Sequence, residues 1–114
     1  MIRLKRAYEM PSQADGERIL VERLWPRGLS KERANIDLWL NEVAPSPKLR
    51  QWFGHDPIRW SAFRRRYEAE LRSGEDQIKL LKRKANAGAI TLIYSARDEE
   101  HNSAVVLKHF LEKE

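Results

Sequence analysis

Apolar positions along the chain change spacing several times, and each change marks an expected element. Residues 2–8 set Ile2, Leu4, Arg6 and Tyr8 against Arg3, Lys5 and Ala7, the period of two of a half-buried strand with a charged outer face. That pattern suits a position near a sheet edge. A polar connection holding the turn formers Pro11, Asp15 and Gly16 leads to a second alternating run at residues 18–24. Ile19, Val21, Arg23 and Trp25 share one side of it; Leu20, Glu22 and Leu24 share the other. Pro26 cannot donate to a sheet ladder and Gly28 is free to take positive φ, so this strand ends in a defined loop, Trp25-Pro26-Arg27-Gly28.

The spacing then becomes helical. Ser30 reads as an N-cap, and Ile36, Trp39, Leu40 and Val43 predict a buried stripe on a helix that Pro45-Ser46-Pro47 stops. Ser46 with Pro47 starts a short helix through Phe53, closed by Gly54. Asp56-Pro57 repeats the device for a helix over residues 57–72, with Trp60, Phe63, Tyr67 and Leu71 inward. Ser73-Gly74-Glu75-Asp76 resembles a capping box and opens a helix that buries Ile78, Leu81 and Ala85 before Gly88. The run Ile90-Thr91-Leu92-Ile93-Tyr94 predicts a strand buried on both faces, and Asp98 reads as the N-cap of a last helix over residues 99–111. The expected fold is α/β: a small, mostly parallel three-stranded sheet flanked by helices, in the order ββααα-βα, as one domain over residues 1–114.

Composition narrows the chemistry. Hydrophobic residues at 41% and charged residues at 34% suit a soluble globular chain. The absence of cysteine excludes a disulfide framework, a thiolate zinc site and a cysteine nucleophile. No apolar stretch approaches the roughly 18 residues of a membrane span, so no membrane partner is expected and the default address is the cytoplasm. A net charge of +5 favours anionic partners. Arg59, Arg64, Arg65 and Arg66 on the helix over residues 57–72 leave a nucleic-acid-binding module as one alternative, and an interaction protein with no catalytic activity as another.

The strand, loop and expected helix start over residues 90–102 form the natural binding place, because open α/β sheets take ligands beyond the carboxyl ends of their strands. If the second and last strands are parallel neighbours, their trailing loops share a rim. Arg23, Arg27 and Arg97 then bring guanidinium forks suited to phosphate or carboxylate, beside Trp25, Tyr94, Ser95, Asp98 and Asn102. His101 and His55 are the candidate proton carriers. The bland readings stand beside these: arginines paired with nearby carboxylates, Asp98 as a cap, Ser95 as a loop hydroxyl, Tyr94 as core. His101 and His109 are not at the i, i+4 spacing of a helical metal pair, and no metal site is expected. The leading expectation is a pocket for an anionic, phosphate-bearing small molecule, with binding and catalysis both open.

Three motifs, VERLWPRG at residues 21–28, WFGHDP at 52–57 and LIYSARDEEHN at 92–102, together resemble the YeaO-like family of small bacterial proteins, a branch of the domain of unknown function 488 group. The resemblance spans essentially the whole chain. It implies an α/β fold but no established activity, substrate or cofactor. Other branches of the group commonly place cysteines and a His-Arg pair near the carboxyl end. Here Tyr94, Ser95, His101 and Asn102 stand in that region, of which only His101 corresponds, so a thiol mechanism does not transfer.

Overall fold

The computed structural model describes residues 1–113. Among them, β1 (Ile2–Arg6), β2 (Glu17–Leu20), β3 (Leu38–Trp39) and β4 (Ile90–Tyr94) form one sheet in the order β1-β4-β2-β3. Every neighbouring pair is parallel. The sheet therefore has four strands rather than the three expected. α1 (Lys31–Ala34), α2 (Pro47–Phe53), α3 (Trp60–Ser73), α4 (Glu75–Ala87) and α5 (Ser103–Glu112) complete the fold. None of the described helices is long and apolar enough to cross a membrane.

Strand parity decides what each face of the sheet meets. Ile19 and Val21, with Ile90, Leu92 and Tyr94, face α2, α3, α4 and α5 and join Phe53, Phe63, Leu81 and Leu107 in the main core, with Ile2 and Leu4 against it. The opposite parity gives Ala7, Leu20 and Ile93, covered by Trp25, Leu29 and Ile36 from connecting segments. The four longer helices thus share one face, and loops roof the other.

Beneath that roof lies a buried polar cluster. Arg18, 2% exposed, donates to the Asp15 carboxylate at 2.6 Å and to the carbonyls of Ala34 and Asn35. Lys5 reaches the same carboxylate at 3.0 Å, and Thr91 donates to the Asp15 carbonyl. Gly16, at φ 63°, lets the chain turn there against the Ala89 carbonyl, where a Cβ would come within 2.1 Å. Burial works to raise the Asp15 carboxyl, but hydrogen bonds from the Ser12 amide, Lys5 and Arg18 outweigh it and hold its pKa below the ordinary value.

Several local expectations shift for identifiable reasons. The predicted helix carrying Ile36, Trp39, Leu40 and Val43 is cut after four residues by Asn35 in the left-handed region. Asp37 then accepts the Arg18 amide, and the Asp37 and Leu40 amides donate to Arg18 and Leu20, which lays the segment down as the edge strand β3. Strand two ends at Leu20 rather than at residue 24, although the Val21 amide still reaches the Ile93 carbonyl. Residues 57–59 form a 3-10 turn before α3, and Gly74 caps α4 without a side-chain bond where a capping box was expected. The Ser30, Ser46 and Asp56 caps and the Gly54 stop form as read.

Replacing Asp15 with Ala strands Arg18 as an uncompensated buried charge and is expected to cost about 3–5 kcal/mol in urea denaturation. Because the folded-state pKa of Asp15 is depressed, its contribution is present above its unfolded pKa near ~4 and is lost as pH falls through the folded value. An acid titration of stability that is unchanged by Asp15→Ala would rule this account out.

Candidate functional site

The parallel order brings the carboxyl ends of β1, β4 and β2 to one rim of the sheet, and a cavity of about 780 Å³ opens there beneath α2 and the segment leading into α5. Phe53 and Phe63, stacked at 4.3 Å between centroids, give it an apolar wall together with Pro45 and Pro47. The polar lining includes Glu22, Arg50, His55, Ser95, Arg97, Asp98, His101 and Asn102.

Glu22 takes the position just past the buried end of β2. Its Oε2 accepts the Ser95 amide at 2.9 Å and so ties the ends of β2 and β4 together. Burial pushes this carboxyl up, against the opposing effects of the Ser95 amide, Arg50 and His55. Arg50 and Arg97 are exposed residues that line the cavity, and among the described residues their side chains have neither an ion-pair nor a hydrogen-bond partner. His55 follows Gly54, and both residues have positive φ, 57° and 53°; this double turn lays the imidazole 6.0 Å from the Phe53 ring.

The segment before α5 is a structured loop. Asp98 is not the cap of that helix: its Oδ1 accepts the Glu100 and His101 amides, and these bonds hold its carboxyl below the usual range. Its Oδ2 lies 3.0 Å from His101 Nδ1, and the His101 ring meets Trp60 edge-on at 5.1 Å. Two contacts thus fix the imidazole. The true N-cap is Asn102, buried, whose Oδ1 accepts the Val105 amide and whose Nδ2 donates to the Asp98 carbonyl. α5 starts four residues after the sequence expectation because this loop, rather than a first helical turn, satisfies the free amides.

β2 and β4 are parallel neighbours, as the shared-rim expectation requires. The loop over residues 25–28 nevertheless stands away from the cavity. Trp25 donates to the Leu29 carbonyl and packs edge-on against Trp39, and Arg27 is exposed elsewhere, its carbonyl accepting the Tyr8 hydroxyl. Arg23 donates to the carbonyls of Ala44 and Pro45, which fixes the strap whose Pro45 walls the cavity. Tyr94 is buried in the main core, where desolvation pushes its phenol up. Ser95, Arg97, Asp98, His101, Asn102 and His55 are brought together; Arg23, Trp25, Arg27 and Tyr94 are not.

Glu22 and Arg50 are the charged lining residues that sequence reasoning missed. Glu22 had a faint signal, a lone acid directly after a buried strand position and before a run of Arg, Trp and Pro. Arg50 had none, because only tertiary packing lays α2 over the sheet's end. Arg59 in the 3-10 turn and Arg66 on α3 stack on Trp52 at 5.2 and 4.1 Å, and Arg59 also donates to the Trp52 carbonyl, so two of the four arginines of this basic stretch are engaged by a neighbouring residue.

Fold and site together define a small parallel-sheet α/β protein with a ligand-sized cavity at the carboxyl edge of its sheet. Residues 1–114 match the family model described as the inactive DUF488-N3 subclade, and the chain belongs to that family. It is 42% identical over 110 residues to the uncharacterized protein YeaO of Escherichia coli (strain K12), covering 96% of both chains. It is 34% identical over 110 residues to the uncharacterized protein Rv3073c of Mycobacterium tuberculosis, covering 96% of this chain and 92% of the relative. The uncharacterized protein Mb3100c of Mycobacterium bovis matches equally well. No solved structure matches the chain.

Glu22→Gln keeps an oxygen for the Ser95 amide while removing a carboxyl whose folded pKa is raised. Such a group penalises the folded state as pH climbs past its unfolded value, so the variant is expected to melt higher than the parent at pH 7. The difference should vanish below about pH 4, where both states are protonated. Equal melting temperatures at pH 7 would contradict the assignment.

Proposed function

We propose that this protein binds a small phosphate-bearing molecule in the cavity at the carboxyl edge of the sheet. The observation that carries this reading is that two arginines, Arg50 and Arg97, line one cavity with no ion-pair or hydrogen-bond partner for their side chains among the described residues. Arg50 lies near enough to Glu22 to lower its carboxyl but forms no ion pair with it, which leaves the guanidinium able to form charge-assisted, bidentate bonds to a ligand oxyanion. His101, oriented by Asp98 and Trp60, and His55, set by its left-handed backbone, add further nitrogen donors or acceptors on the same wall. Phe53 and Phe63 offer the ligand's organic body an apolar surface, as small-molecule sites commonly do. The description of the subclade as inactive favours binding over turnover, with His101 and His55 as ligand contacts. Arg23, Trp25, Arg27 and Tyr94 have no part in this reading because none lines the cavity.

The test is calorimetric titration of the purified chain with phosphorylated metabolites chosen by a thermal-shift screen. Arg50→Ala and Arg97→Ala are each expected to weaken binding about tenfold or more, the usual consequence of losing a charge-assisted contact. Arg27→Ala should leave the affinity unchanged. A compound that binds the double variant as tightly as the parent, or a screen with no binder, would overturn the proposal.

A further inference from the structure

Arg6 ends β1 and sends its guanidinium to the segment leaving β4. Its Nε donates to the Ala96 carbonyl at 2.8 Å and its Nη2 to the Ser95 carbonyl at 3.4 Å. In a planar trans peptide the carbonyl of one residue and the N–H of the next point in opposite directions. Holding those two carbonyls on the β1 side therefore turns the N–H groups of Ala96 and Arg97 the other way. The preceding peptide shows where that is. The Tyr94 carbonyl faces β1 and accepts the Ala7 amide at 2.7 Å, while the Ser95 N–H reaches the Glu22 carboxylate on the cavity wall at 2.9 Å.

Three successive amides are thus turned to one side. The first already holds a carboxylate oxygen. Among the described residues the other two, Ala96 and Arg97, have no hydrogen-bond partner, and both residues line the cavity. Successive free amides of this kind form an anion-binding concavity.

The geometry points to the Ala96 and Arg97 backbone amides as the seat of the ligand's anionic oxygens, with Arg6 as a positioning residue that fixes their direction from the far side of the peptide planes. This assignment rests on the phosphate-binding reading and adds the atoms that receive the headgroup. Donor count selects the chemistry. Two amides and two guanidinium forks offer more donors than the two oxygens of a carboxylate accept, and their two positive charges match a phosphate dianion. Glu22, which occupies the neighbouring amide, shows that the segment already accommodates a carboxylate oxygen beside it.

The experiment is amide-resolved NMR of the full ¹⁵N-labelled chain titrated with inorganic phosphate and, separately, with acetate. The Ala96 and Arg97 amide protons are expected to move downfield and saturate with phosphate, at an affinity at least about tenfold above that for acetate. Ala96→Pro, which deletes one donor, should weaken phosphate binding about tenfold. Arg6→Met should abolish the two amide shifts, and Arg6→Lys should restore part of them. If phosphate moves the Arg50 and Arg97 side-chain resonances but leaves the two backbone amides in place, the amide seat is wrong while the arginine cavity stands. If phosphate moves neither set, both assignments fall; if acetate matches phosphate, the preference for phosphate falls. Amide shifts that survive Arg6→Met remove the positioning role of Arg6.

Discussion

Parallel pairing of β1, β4 and β2 is the constraint on which the rest of the molecule depends. It aligns Arg6 with Tyr94 and Leu20 with Ile93, so three chains leave the sheet at the same rim. Antiparallel pairing of any one of them would send its trailing loop to the other end. Because the directions agree, Glu22 from β2 reaches the Ser95 amide in front of β4, and Arg6 from β1 reaches the carbonyls behind it. The 94–95 peptide is held on both sides, by the Ala7 amide and Glu22, and Arg6 holds the next two peptides by their carbonyls alone. The site is a property of sheet direction before it is a property of any single side chain.

The same sheet solves a covering problem in two ways. On one face, four helices supply an aliphatic and aromatic core of the usual kind. On the other, short connections cannot provide enough apolar surface, and Arg18, Asp15, Lys5 and Thr91 take its place as a closed set of hydrogen bonds. A buried ion pair is not a strong source of stability in itself, since desolvation offsets much of its attraction. Here it also fixes position: Arg18 bonds the carbonyls that end α1, and its own amide is held by Asp37, so the edge strand β3 is set by the polar cluster.

Helix starts and stops were legible wherever a short polar side chain and a proline or glycine act on their own neighbours. Ser46-Pro47, Asp56-Pro57 and Gly54 behave as read because their bonds close within a few residues. Legibility failed where a distant partner competes. Ile36, Trp39, Leu40 and Val43 keep helical spacing, yet hydrogen bonding to β2 outweighs that spacing and makes a strand of Leu38 and Trp39. Asp98 looks like a cap, yet its carboxylate serves the Glu100 and His101 amides and the His101 ring, and Asn102 caps α5 instead.

The sequence by itself determined the α/β class, most of the helices and the strand at residues 90–94 that is buried along its whole length. Hydrophobic period and local capping decide these, and both are written in neighbouring residues. It also determined the family, through motifs that span the chain. Only the tertiary structure decided which arginines lie at or beside the cavity. Arg23 and Arg27 lie close in sequence to the strand end but turn to carbonyls and solvent, whereas Arg50 reaches the lining from α2 and Arg6, from the edge strand, bonds the carbonyls of the segment beside it. The physical reason is that convergence on a cavity depends on the directions of several elements at once, and no spacing within a single segment records them.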